Sequence, residues 1–245
     1  MTVFYYGVID KMRDAGYLTD RSMLAGTSGG ALGALIGVSG LSGKEGLKLA
    51  IEMSLDRSFR RNIDLGLKEL LPTILPDDIV ARSDSRLHVC VTKVWQPGSR
   101  LRDPTEWAAP LIVSKFKSKV ELVDTVAASC YIPLYSSRRL YTKIDGQAGL
   151  FVDGGFFGGF MPPIGDVTVS PFAVRAFFAR RPPQITMRTG RGAPFSNARL
   201  LSWVLNPAPP DVLEALYREG HRAAEEWIRL REETAAEAAR APPTR

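Results

Sequence analysis

The chain has 245 residues, 45% of them hydrophobic, 24% charged and 9% aromatic, the balance of one globular domain and not of a disordered, collagenous or coiled-coil chain. Thirty-two Lys and Arg against 26 Asp and Glu leave a net charge of +6, too modest and too little interleaved with aromatics to point to nucleic acid. No run approaches the roughly 18 apolar residues of a membrane span, and the opening MTVFYYGVIDKMRD has neither a basic leader nor a cleavage site, so a cytoplasmic protein is expected. Cys90 and Cys130 lie in no pattern with disulfide-framework or metal-ligand spacing, and neither metal nor cofactor is expected. Short basic patches (Arg57, Arg60 and Arg61; Lys115, Lys117 and Lys119; Arg180 and Arg181) read as solvated surface, with weak attraction to an anionic lipid surface as the sharper alternative.

Taken in chain order, Val8, Ile9 and Met12 form one apolar face of a first helix that stops at Gly16. A short strand over Met23–Ala25 runs into GTSGGALGALIGVSG, whose small apolar residues after Ser28 suit a buried helix packed on a sheet. Ser42 and Glu45 have capping-box spacing and open a helix along Leu47, Ile51 and Leu55. LPTILPDD reads as a Pro-marked loop, and LHVCVTKVW, Leu87–Trp95, as a strand dense in β-formers. Pro104–Pro110 reads as loop, with a strand beginning at Leu111. Ser118 and Glu121 repeat the capping-box spacing before a helix through Leu122, Val126 and Cys130, which Pro133 ends. Leu150–Val152 is a strand leading into Asp153-Gly154-Gly155, and Val167–Val169 another. The last helix, from Asp211 to about Arg231, carries Leu213, Leu216, Tyr217, Ala224, Trp227 and Ile228 on one stripe. One domain over residues 1–232 and a frayed or disordered tail over 233–245 are expected.

Gly26-Thr27-Ser28-Gly29-Gly30 fits the GxSxG nucleophile elbow and stands where that motif belongs, between a strand and a helix of small residues. A serine on such a turn projects its hydroxyl from the sheet, side chains at the flanking glycines would crowd helix and strand, and the Gly29 amide faces the developing oxyanion at a helix N-terminus. A serine nucleophile needs a base. His88 lies inside a predicted strand. His221 follows Asp153 in the order Ser, Asp, His, so a Ser28, Asp153, His221 triad is one arrangement, but His221 falls on the apolar stripe of the last helix. Asp153 is the better partner: it ends an apolar strand, two glycines let backbone approach it, and a desolvated carboxylate in reach of a serine can act as general base. The glycines match neither a P-loop nor GxGxxG. Phe156, Phe157 and Phe160 after Asp153 form a packed turn or line an acyl-chain groove.

GTSGG and DGG resemble the two halves of the Ser/Asp dyad of the patatin-like phospholipases. LPDDIVARSDSRLHVCVTKV, FKSKVELVDTVAASCYIPLYS, LFVDGGFFGG, DVTVSPF and PDVLEALYREGHRAAEEWI look most like the adipose triglyceride lipase and adiponutrin subgroup, over roughly residues 4–232. The resemblance implies an α/β fold, a three-layer αβα sandwich on a mostly parallel sheet. It also implies hydrolysis of acylglycerol or related lipid esters through an acyl-enzyme, with Ser28 as nucleophile and Asp153 as base. Its partners would be the lipid ester and a membrane or lipid-droplet surface.

The chain departs from the family pattern at its start. Family members begin with a strand and a glycine-rich loop whose amides supply most of the oxyanion hole, just upstream of the segment equivalent to FYYGVIDKM. Two expectations follow: a protein that extends upstream of Met1, or a catalytically weak or silent scaffold that binds lipid surfaces or a protein partner.

Overall fold

The computed structural model describes residues 1–56, 59, 62–95, 109–155, 164–172, 182–188, 193–206 and 208–240. The Phe156–Met161 run and the basic residues Arg57, Arg60, Arg61, Arg180 and Arg181 lie outside them. Helix α1, Thr2–Asp14, precedes β1, Leu24–Thr27, and then α2, Gly29–Ser39. Helices α3, Gly43–Leu55, α4, Ile63–Ile74, and α5, Ile79–Ser83, lead to β2, Leu87–Trp95, and β3, Ala109–Val113. Helix α6, Lys119–Ser129, is followed by β4, Leu150–Asp153, a β5–β6 pair at Val169–Ser170 and Ile185–Thr186, α7, Asn197–Leu205, and α8, Pro210–Arg240.

Local chemistry explains most boundaries. At α3 the Ser42 hydroxyl accepts the Glu45 N–H (3.2 Å) while the Glu45 carboxylate accepts the Ser42 N–H (2.7 Å), a complete capping box. At α6 Ser118 caps in the same way (3.0 Å), but Glu121 turns back one residue further, to the Lys117 N–H (2.7 Å). The expected loop at LPTILPDD is in part helical. Pro72 lies in the last turn of α4, and buried Leu71 and Leu75 hold that turn against the core despite the lost N–H. Strand β3 starts at Ala109, two residues before the expected strand. Helix α8 runs to Arg240, past its expected end near Arg231 and into the tail expected to fray over 233–245, with residues 231–240 exposed.

Strand β2 is the spine of a four-stranded sheet. β1 pairs with it in parallel, Leu24 opposite Leu87 through Thr27 opposite Cys90, whereas β3 and β4 pair antiparallel. The sheet is therefore mixed, not mostly parallel, among the described residues. β3 occupies one edge of β2 at Val89–Lys93; β1 and β4 share the other, end to end, because Thr27 faces Cys90 and Asp153 faces Val91. The C-terminal ends of two strands thus meet at one point of a third.

One core cluster lies between the sheet and helices α2, α4, α5 and α6, with Leu87, Val89 and Val91 of β2 pointing into it. A second joins α1, α8 and β6. Helix α2 contributes to both, Ala31, Ala34, Leu35 and Val38 to the first and Ile36 to the second, and its small residues allow close approach. A β-carbon at Gly37 would strike Leu24, and one at Gly33 would press on Tyr5 of α1. Helices α1 and α8 cross in backbone contact, since a side chain at Gly7 would collide with the Tyr217 carbonyl and one at Gly220 with the Phe4 carbonyl.

Candidate active site

Ser28 follows β1 directly and precedes the first residue of α2. Its backbone has φ +54° and ψ −127°, a left-handed conformation that a side-chain-bearing residue holds only when its surroundings impose it. The surroundings are visible. A β-carbon on Gly26 would overlap the Gly30 carbonyl, so only glycine lets the strand pass that close to the first turn of α2. Below the turn, the Ser129 hydroxyl at the end of α6 accepts the Ser28 N–H (2.9 Å) and donates to the Cys90 carbonyl of β2 (2.6 Å), tying the elbow to helix and sheet.

Asp153 ends β4 at the same place. The residue is buried, 5% exposed; its N–H donates to the Tyr131 carbonyl (2.7 Å), and Oδ1 accepts the Gly155 N–H (2.7 Å). A β-carbon at Gly154 would strike the Cys90 carbonyl, so the turn after Asp153 also needs glycine for close backbone approach. Burial pushes the Asp153 carboxyl up to about 6, against the opposing pull of the Ser28 side chain and the Gly155 amide. Burial, and then the charge of Asp153, push the nearby Cys130 thiol well above its ordinary range, which keeps it protonated near neutrality.

The sequence-predicted residues thus converge: Ser28, Gly26, Gly29 and Gly30 from one strand end, Asp153, Gly154 and Gly155 from the other. Gly30 differs from expectation in one respect. The nearest atom to a β-carbon there is the Tyr5 ring at 3.7 Å, so sterics do not demand glycine; at Gly29 the Thr2 hydroxyl would stand at 2.8 Å. The Ser28 carbonyl accepts the Ala31 and Leu32 amides, leaving those of Gly29 and Gly30 at the helix N-terminus without an acceptor among the described residues. His221 lies on α8 against Gly7 of α1 and takes no part in the hydrogen bonds of Ser28 or Asp153; His88 pairs opposite Ala25 within the sheet. Ser129 and the Tyr131 carbonyl were not foreseen. A serine ending a buried helix carries no local signature of its partner a hundred residues away.

Because the Leu24 amide donates to the Arg86 carbonyl, Leu24 and Gly26 face β2, and the backbone groups of Ala25 and Thr27 point to the opposite edge. Along that edge lies a partly open cavity of about 480 Å³, lined also by α1 and residues 164–169. It reaches Gly26, Thr27 and Gly30 but not Ser28 or Asp153.

The chain is 23% identical over 252 residues to mouse omega-hydroxyceramide transacylase, covering 94% of this chain and 39% of that protein, and 28% identical over 168 residues to the human one, covering 64% and 29%. It is 28% identical over 228 residues to mouse 1-acylglycerol-3-phosphate O-acyltransferase Pnpla3, covering 83% and 50%. The chain therefore spans half or less of the length of these relatives. The sequence profile described as patatin-like phospholipase matches residues 2–164, a stretch that holds both the Ser28 elbow and the Asp153 turn, and the chain belongs to that family.

Proposed function

We propose that the chain is the core of a lipid acyl-ester enzyme in which Ser28 is the nucleophile and Asp153 its general base. One observation carries the reading: a serine held at φ +54° at the end of β1 meets a buried carboxylate, raised to about 6, at the end of β4. Ionised Asp153 takes the Ser28 hydroxyl proton as Oγ attacks the ester carbonyl. The tetrahedral oxyanion forms beside the free Gly29 and Gly30 amides, and its collapse expels the alcohol, which receives the proton from Asp153. Water, or the hydroxyl of a second lipid, then attacks the acyl-enzyme with Asp153 again as base; the Ser28 Oγ–acyl bond breaks, Oγ receives the proton from Asp153, and the product is the free acid or the acylated lipid. The names of the relatives, a transacylase and an acyltransferase, favour keeping transfer open beside hydrolysis of acylglycerols.

Two amides at one helix end are a sparse oxyanion hole, and loss of one donor costs about 2.7–4 kcal/mol elsewhere. Among the described residues β1 has no strand partner on the edge away from β2, and further amides brought there would add donors.

A fluorophosphonate probe, which phosphonylates activated serines, tests the proposal. We expect a single adduct on Ser28, absent in Ser28→Ala and formed at least about 100-fold more slowly in Asp153→Asn, the usual worth of a general base. Equal labelling of Asp153→Asn, or an adduct elsewhere, refutes the dyad.

A further inference from the structure

The connection between α6 and β4 is rigid on its inside and apolar on its outside. Tyr131 and Ser136 are fully buried. The Tyr131 hydroxyl donates to the Arg139 carbonyl (2.8 Å) and shares a hydrogen bond with Ser137 (2.6 Å). The Ser136 hydroxyl accepts the Ile132 N–H (2.9 Å) and donates to the Cys130 carbonyl (3.2 Å), and the Leu134 N–H donates to the Arg139 carbonyl (3.0 Å). From α4 the Asp64 N–H donates to the Ser136 carbonyl (3.3 Å). A loop with this many internal bonds has one shape.

That shape turns leucines toward water. Leu134 is 69% and Leu140 61% exposed, and Tyr141 is exposed beside them. Leu134 also has φ +64°, a conformation that costs any residue with a β-carbon. Folding gains nothing from a leucine that is both unburied and in an unfavourable backbone region, and such outliers collect where a surface is used. Arg138 and Arg139, both exposed, stand between the two leucines in the chain, and the hydrogen bond from the Leu134 N–H to the Arg139 carbonyl brings Leu134 beside this cationic pair. The base of the loop is the floor of the site, because Tyr131 binds the Asp153 amide and Ser129 the Ser28 amide.

Apolar side chains flanked by guanidinium groups suit the boundary between headgroups and acyl chains of an anionic membrane. The leucines and tyrosine enter it, and the arginines pair with its anionic groups. We propose that the loop over residues 133–141 is an interfacial docking element that seats the protein on anionic phospholipid surfaces and brings the Ser28–Asp153 pair to the lipid. The choice of lipid over protein as the occupant rests on the acyl-ester reading above.

Sedimentation of the chain with phosphatidylcholine vesicles, with and without phosphatidylserine, tests it. The unaltered chain should partition onto the anionic vesicles. Leu134→Asn with Leu140→Asn, the first chosen because asparagine tolerates positive φ, should weaken partitioning tenfold or more. Should that pair fail to fold, Leu140→Asn alone should still weaken it severalfold. Arg138→Gln with Arg139→Gln should weaken it about fivefold per cation, a loss that high salt abolishes. Equal partitioning of all variants, or equal binding of the unaltered chain to neutral vesicles, overturns the proposal. Fluorophosphonate labelling in solution separates the two readings. A chain that docks through these residues but takes no label keeps the docking loop and loses the acyl-ester reading. One that labels at Ser28 and ignores both vesicles loses the docking loop alone.

Discussion

Asp153 carries a conflict between stability and chemistry. Its carboxyl is raised from 3.8 to about 6, mainly by burial, so folding favours its neutral form. The stability this protonated form supplies is complete below the unfolded value of 3.8 and is lost as the pH rises through about 6, where the proposed general base must be the anion. Replacement by neutral Asn should therefore leave stability unchanged near pH 3.5 and raise it by up to about 3 kcal/mol above pH 7, by urea denaturation at each pH. The rate of Ser28 labelling in the unaltered chain should rise with pH through about 6, following ionisation of the base; a flat profile would contradict that role. Ser129 acts one step further out. Ser129→Ala frees the Ser28 amide and leaves the Cys90 carbonyl without its donor, so labelling should slow about tenfold or more while Ser129→Thr retains most of the rate. A purely structural serine would lower the melting temperature without that rescue of rate.

At the scale of elements, two helix crossings and one elbow depend on the absence of side chains. Gly7→Ala would push a methyl group into the Tyr217 carbonyl and force α1 from α8, and we expect a loss of about 1–3 kcal/mol in urea denaturation. Much of this level is legible in the amino-acid sequence for local reasons. The Ser42 and Glu45 pair, the β-branched run of β2 and the stripe on α8 act through neighbours one to four residues away, and each stands where the spacing predicts. Pro72 inside α4 is not legible, because the burial of Leu71 and Leu75 that outweighs it is tertiary.

For the whole molecule, the end-to-end meeting of β1 and β4 on one edge of β2 is the decisive feature, since it joins residues 125 positions apart in the chain. The exposed end of α8 lies outside both core clusters. Removal of residues 231–240 should leave the melting temperature within a few degrees and the Ser28 label unchanged.

The sequence alone determined the two motifs, the α/β class and the family likeness, because GTSGG and DGG serve backbone geometry that is local to each. Only the tertiary structure decided the antiparallel approach of β4, the bridging role of Ser129, the leucines turned outward at the docking loop and the burial that raises Asp153. Each of these is a contact or a desolvation created by packing, and no spacing along a chain encodes which distant groups will share a site.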